Sequence, residues 1–388
     1  MTAVCVFSLL MDIVVVYLML GLNFRAVDLN ATPAQLGLLQ ASFAVPYTLL
    51  CFFMARRFSS LDTRAAMTVS SLALLILCIL SAIMSSLTSF FLLAVLVGTS
   101  TAFFWPPLEH HIARNKSSHE LYGALSRFNL WWGSGYVIGA TTCGLLLEWD
   151  SRVAFLTAAA CVVPVVAGSP FLPHSPRLRP NPAASEAPAS PPTVSIENRR
   201  LFLMLSRVFI FLTYASAGAI LALFPKLGDA LHFGKPLVSR VLAFFYIGQL
   251  LSFFILAKTS RWHYNLRLLL VAQGLCAVAF LTAFVWNRTV VFSGAFGAIG
   301  LGAGLSYFSS LYYTLHEPVF RTSLAGVHEA ILAAGRLLGP LSLGAVAGRF
   351  DLKAPYLCLA SIFALYFAFT CLASRRLKRG VSTPAPLV

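Results

Sequence analysis

Asp12 interrupts an apolar run that extends from Val4 to about Leu22, and Arg336 stands in the middle of "AGVHEAILAAGRLLGPLSLGAVAG". A charged side chain at the centre of a helix surrounded by hydrocarbon costs roughly 2.5–3.5 kcal/mol, so each is expected to face a cavity or a partner. The chemistry open to each follows from its type. Arg336 keeps its charge and offers a planar fork of donors, which suits an anionic group. Asp12 is a carboxyl that can take up and release a proton. Arg207, about a quarter of the way into its own apolar run, supplies a further cation for binding, and Tyr136, Tyr307 and Trp105 supply rings and polar tips beside it.

Nearer one end of the apolar runs lies a second layer: Glu109, Arg127, Asn129, His328 and Glu329, with His316 and Glu317 close by in sequence. Glu329 is a second candidate for proton coupling. Glu109, Arg127, Asn129 and His328 are expected to form a gate whose ion pairs break when it opens. The alternative for every residue of both layers is an ion pair that merely joins two helices. "EHHIAR" puts two histidines side by side, hence on different helical faces, and no His-x-x-x-His spacing occurs, so no metal site is expected. The eight cysteines stand singly in apolar segments without a Cys-x-x-Cys pair, and no Gly-x-x-x-x-Gly-Lys-Ser/Thr phosphate loop or other cofactor motif appears.

The elements that must position these residues are set by composition. Of 388 residues, 59% are hydrophobic and only 11% charged, against roughly 25% charged in soluble domains. The fold class expected is therefore an all-α membrane protein. About 20 apolar residues cross a bilayer, and twelve such stretches are present: 3–23, 34–55, 65–86, 89–112, 121–147 and 152–173, then 200–224, 237–257, 265–286, 290–315, 323–348 and 354–374. The net charge of +15 is spread over loops, with almost no soluble face to carry it, which excludes a nucleic-acid partner. The domains expected are a six-helix bundle over 1–173, a cytoplasmic Pro-rich linker over 174–199, a second six-helix bundle over 200–374 and a basic tail over 375–388. The linker, rich in proline, alanine and serine, cannot bury a core. With the amino terminus inside, the inner loops and tail hold about twice the Lys and Arg of the outer loops, although Lys226, Lys235 and Arg240 run against the bias. The expectation is a multi-pass protein of the plasma (inner) membrane with both termini cytoplasmic.

The two halves repeat one another. "GYVIGATTCG" and "GRLLGPLSLG" both carry glycine at their first, fifth and tenth positions, giving Gly135, Gly139, Gly144 and Gly335, Gly339, Gly344, an offset of 200. Phe43 with Phe245, Phe52 with Phe254 and Ala55 with Ala257 match at an offset of 202. Glycines four or five apart make a smooth stripe on which a neighbouring helix packs closely. The same offset pairs Asn129 with Glu329 and Tyr136 with Arg336, so each pair is expected on opposite walls of one pore.

On these features the chain resembles the major facilitator superfamily, over nearly its whole length. "TPAQLGLLQASFAVPYTLL" is similar to that family's entry into its second helix, "SRFNLWWGSGYVIG" to its fifth and the Arg336 segment to its eleventh. The family's loop signature, Gly-x-x-x-Asp-Arg-x-Gly-Arg-Lys/Arg, is eroded here to "ARRFSSLDTR": Ala55, Ser59 and Asp62 replace two glycines and the aspartate, and Arg64 stays in register. The antiporter pattern Gly-Pro-x-x-Gly-Gly of the fifth helix is also incomplete, with Ala140 after Gly139. The resemblance implies two pseudo-symmetric bundles that rock about a central site, hence a secondary transporter rather than an enzyme, working by alternating access. The partners expected are a small anionic or zwitterionic solute, protons and the bilayer, and the protein is expected to act as a monomer without cofactors. An exporter of apolar drug-like compounds, or a non-transporting sensor or scaffold with this fold, is the alternative.

Overall fold

The protein, described by a computed structural model, is defined over residues 2–58, 62–113, 118–172, 195–315 and 321–379. Among these residues it is built of helices: α1 (Thr2–Asp28), α2 (Pro33–Phe58), α3 (Thr63–Ile83), α4 (Leu87–Ala102), α5 (Trp105–Ala113), α6 (Ser118–Trp149), α7 (Val153–Gly168), α8 (Ile196–Ala230), α9 (Lys235–Leu256), α10 (Leu266–Val285), α11 (Thr289–Leu315), α12 (Arg321–Arg349) and α13 (Ala354–Arg379). Eleven segments are long and apolar enough to cross a membrane, with Leu87–Glu109 as one of them. In hydrocarbon every backbone polar group must be bonded within the segment, which leaves the helix as the natural form for such runs. The remaining long helix, α6, carries Ser126, Arg127, Asn129, Ser134, Thr141 and Thr142, packs against α1 and α9, and completes the set of twelve.

Local chemistry shifts several expected boundaries. The fourth span is two helices instead of one: the chain turns at Phe103 and Phe104, and Pro106 and Pro107 open α5, where their missing N–H groups leave no bond unmade. The turn places Trp105 at the break. The helix expected to begin near residue 200 begins at Ile196, where the Ser195 side chain accepts a hydrogen bond from the Asn198 backbone N–H and caps α8. Most of the expected linker, 174–194, lies outside the described residues, as do Ser59 in the eroded loop, His316 and Glu317. Asp62 in that loop caps α3 by accepting from the Arg64 backbone N–H. The basic residues expected in a separate tail continue α13 as far as Arg379.

The glycine ladders act as the offset implies, and with a division of labour that the offset alone does not show. A side chain at Gly135 would strike Leu9 and Asp12 of α1, and one at Gly139 would strike Ile13 and Val16 of the same helix. A side chain at Gly335 or Gly339 would strike Phe211, Tyr214 or Ala215 of α8. The first two glycines thus bind each helix to the first helix of its own half. The third glycine crosses over. Gly144 lies on Lys235 and Ser239 of α9, and Gly344 lies on Pro33 and Gly37 of α2.

These crossings form a seam between the halves at the end where α1 finishes. There the Ser239 hydroxyl donates to the Ala140 carbonyl and accepts from the Gly144 N–H at 2.9 Å. The Asn23 amide donates to the Leu221 carbonyl at 3.3 Å, and Lys235 pairs with Asp28 at 2.7 Å. The ion pair is 29% and 46% exposed on its two side chains, and such a pair contributes about 0–1 kcal/mol. Overpacking a tight contact costs about 1–3 kcal/mol, and the nearest atoms to an added Cβ at Gly344 are backbone, with the Pro33 carbonyl oxygen at 2.8 Å. The glycine contacts should therefore dominate closure. With Ser239→Cys as a buried reporter, Gly344→Val is expected to raise its alkylation rate by a membrane-impermeant maleimide roughly tenfold. Asp28→Asn should change that rate less than about fivefold, and the reverse order would show that the ion pair holds the seam.

Candidate functional site

Asp12 is the eleventh residue of the 27 in α1 and Arg336 the sixteenth of the 29 in α12, so both sit near mid-helix. Tyr136 of α6 lies between them, its hydroxyl in hydrogen-bonding reach of the Asp12 carboxyl as donor and of the Arg336 guanidinium as acceptor. Asp12 is 2% exposed, and its Oδ2 has no hydrogen-bond partner. The Arg336 guanidinium rests over the Tyr214 ring at 5.1 Å from its centroid, a cation–π contact that strengthens as water is excluded. Gln249 of α9 donates to the Tyr214 hydroxyl at 3.1 Å and fixes that ring. Tyr246, also on α9, stacks on Tyr136 at 4.7 Å and 20°. One carboxyl, one guanidinium and three tyrosines from both halves thus meet at one depth.

Arg336 and Tyr136 also line a small cavity. Its other walls are Val15 of α1; Phe43, Ala44, Tyr47 and Thr48 of α2; Trp105 at the start of α5; and Leu332 and Ala333 of α12. The cavity volume is about 40 Å³, room for about three waters and too little for an organic solute, so binding requires the walls to part. Trp105 is held edge-on by Phe104 at 5.2 Å and by Phe128 at 6.3 Å. Phe43 and Tyr47, one turn apart, stack with their ring planes within 12° of parallel and supply two aromatic rings to the wall.

Three of the five residues expected to bind solute, Arg336, Tyr136 and Trp105, therefore meet at the cavity. Tyr307 does not line it. That ring packs among Trp132, Phe253, Tyr214 and His328. Arg207 is half-buried within electrostatic reach of His328 and likewise stands apart from the cavity. His328, 1% exposed, bonds Ser310 at 2.9 Å through Nδ1 and lies 3.8 Å from Glu329 through Nε2.

Among the described residues the gate layer shows no ion pair between Arg127 and a carboxylate. Arg127 is exposed and its Nε donates to the Gly123 carbonyl at 3.3 Å. Asn129 is buried and accepts from the Trp132 indole N–H at 2.9 Å, within its own helix. Glu109 of the first half faces Glu329 of the second within electrostatic reach, and the Glu329 side chain is 40% exposed. In this layer Arg127 is exposed and Glu329 partly so, while the far seam is shut.

Sequence reasoning missed the α2 wall. Phe43, Tyr47 and Thr48 lie in an apolar run without charge or repeat to mark them, and only the equivalence of Phe43 with Phe245 hinted at that face. It also missed Tyr246 and Gln249, which hold the tyrosines in place.

The sequence matches the family described as Major Facilitator Superfamily over residues 2–316. No curated protein matches it. Among solved structures it is similar to a mutant of the nucleoside transporter NupG, with 15% identity, a TM-score of 0.70 and coverage of 96% of this chain and 98% of that one. It is similar to the human organic anion transporter TETRAN at 16% identity and a TM-score of 0.64, covering 95% and 98%. A POT family transporter in complex with a thioalcohol-conjugated peptide aligns at 11% identity and a TM-score of 0.74, covering 97% and 96%.

The separation of the two layers can be checked. Ser310→Ala leaves the buried His328 ring without its hydrogen bond, at a cost of about 1–3 kcal/mol, which should lower the thermal midpoint in detergent. Because His328 is outside the cavity, the affinity for any bound solute should stay within about twofold of wild type. A larger affinity loss would place His328 in the binding site.

Proposed function

The chain belongs to the major facilitator superfamily, and we propose that it moves a small anionic solute together with a proton through a site centred on Arg336. It is a multi-pass membrane transporter built for alternating access. The observation that carries the finer reading is the linked set Asp12–Tyr136–Arg336, in which the guanidinium lines the cavity and its counter-charge lies behind Tyr136.

An anion that binds Arg336 takes the place of Asp12 as its partner. Two unit charges about 4 Å apart interact by about 4 kcal/mol at an effective dielectric near 20, so leaving Asp12 ionised without that partner is costly. A proton on Asp12 removes the cost and keeps the site neutral. Anion binding and proton uptake are therefore linked, and lower pH should favour the anion. The excess of basic residues in the loops on the side where α1 starts supports a cytoplasmic location for that end and for both termini, in an inner membrane. The shut seam is then the outer one and the state is inward-facing. The cavity is formed within one chain, which suits a monomer.

The test is binding of small carboxylates, phosphate and apolar compounds to the purified protein, followed by uptake into liposomes. Arg336→Gln should weaken the anion roughly 30-fold or more, the range for truncating one partner of a buried charge pair. Asp12→Asn should still bind it but lose accumulation driven by a pH gradient. Tight binding of apolar compounds that Arg336→Gln leaves intact would replace this reading with export of drug-like molecules.

A further inference from the structure

Resting on that reading of the cavity, we infer that the solute is a planar aromatic monocarboxylate of the benzoate kind, with its carboxylate on Arg336 and its ring between Trp105 and the Phe43–Tyr47 wall. Charge sets the first limit. Among the described residues lining the cavity, Arg336 alone carries a charge, so the site neutralises one anionic group and has no second cation for a dianion. Two carboxyls lie within electrostatic reach of Arg336 without lining the cavity: Asp12, 2% exposed behind Tyr136, and Glu329, one turn before Leu332 and Ala333 on α12. An ammonium group on the solute would find no carboxylate on the wall, which disfavours amino-acid zwitterions.

Shape sets the second limit. Phe43 and Tyr47, one turn apart on α2, have ring planes within 12° of parallel with centroids 6.2 Å apart, and both line the cavity. Trp105 is fixed by its two edge-on neighbours, Phe104 and Phe128, and by the helix break that starts α5. The residues beside these rings are small, Ala44 and Ala333. Parting the walls therefore opens a space lined by three aromatic rings, Phe43, Tyr47 and Trp105, together with the cation of Arg336. Ring–ring contacts favour an aromatic body over a saturated one of similar size.

The experiment is calorimetric titration of the full-length protein with benzoate, cyclohexanecarboxylate and phenylalanine. Cyclohexanecarboxylate has the same charge and nearly the same size, and its ring is the more apolar, so hydrophobic burial alone would favour it. Benzoate is expected to bind on the order of tenfold tighter, with no detectable phenylalanine binding. Trp105→Leu should bring benzoate down to the level of cyclohexanecarboxylate, and Trp105→Phe should keep the preference. Equal affinities in the wild type would overturn the aromatic inference and leave the Arg336-centred anion reading standing. Phenylalanine binding as tightly as benzoate would overturn the monoanion limit. Failure of every carboxylate, with the protein folded by thermal unfolding, would overturn the underlying reading as well.

Discussion

Two helices, α6 and α12, must each touch both halves of the molecule at once, and the close approach of backbones at Gly144 and Gly344 is what allows it. Each is pinned lower down to the first helix of its own half by two further glycines. A helix fixed along its own bundle and at its far end by the other has no rotational freedom left at its middle. Tyr136 follows Gly135 directly, and Arg336 follows Gly335. The residues that face the cavity are thus placed by the same stripes that do the packing, one position along. Membrane helices gain little from hydrophobic burial against each other, so close backbone contact of this kind supplies much of their association.

The seam that shuts the far end is weakly held by charge. Its ion pair is partly exposed and contributes at most about 1 kcal/mol, while its hydrogen bonds at Ser239 and Asn23 are few. An alternating mechanism needs such a balance, since a ligand shifts a conformational equilibrium only by its difference in affinity for the two states. The contacts made by Gly135, Gly139, Gly335 and Gly339 lie within each half and can persist when the halves rock. Those of Gly144 and Gly344 lie between halves and are the ones that must part.

The parts of this design that repeat or carry charge were legible in the sequence. The offset of 200 located both ladders and paired Tyr136 with Arg336, because duplicated helices keep their contact faces. Mid-helix charge marked Asp12 for the same site, because its insertion cost demands a partner. Rotation about the helix axis was not legible. The polar residues of α2 and α11 are not gathered on one face, so hydropathy does not show which face is inward; Tyr47 was overlooked and Tyr307 was expected at the cavity for that one reason. The bond that Asn129 makes to Trp132, three residues on along the same helix, is likewise set by rotamers that sequence does not show. The break at Phe103–Trp105 was foreshadowed by Pro106 and Pro107, yet a hydropathy window passes over it because both sides are apolar.

The cavity's small volume bears on why Asp12 stands behind Tyr136 and not on the wall. At about 40 Å³ the site is collapsed around its own charges, with Arg336 stacked on Tyr214 and linked through Tyr136 to Asp12. A carrier that returns across the membrane without cargo must bring its arginine back compensated, since an uncompensated buried charge is destabilising by several kcal/mol. Under the proposed mechanism Asp12 provides that compensation in the empty state and yields it to the solute anion in the loaded one. A carboxylate on the wall itself would compete with the anion by direct repulsion in both states. Set one tyrosine away, it answers to the charge on Arg336 while leaving the binding surface to the solute, and a single proton then decides which of the two partners the arginine keeps.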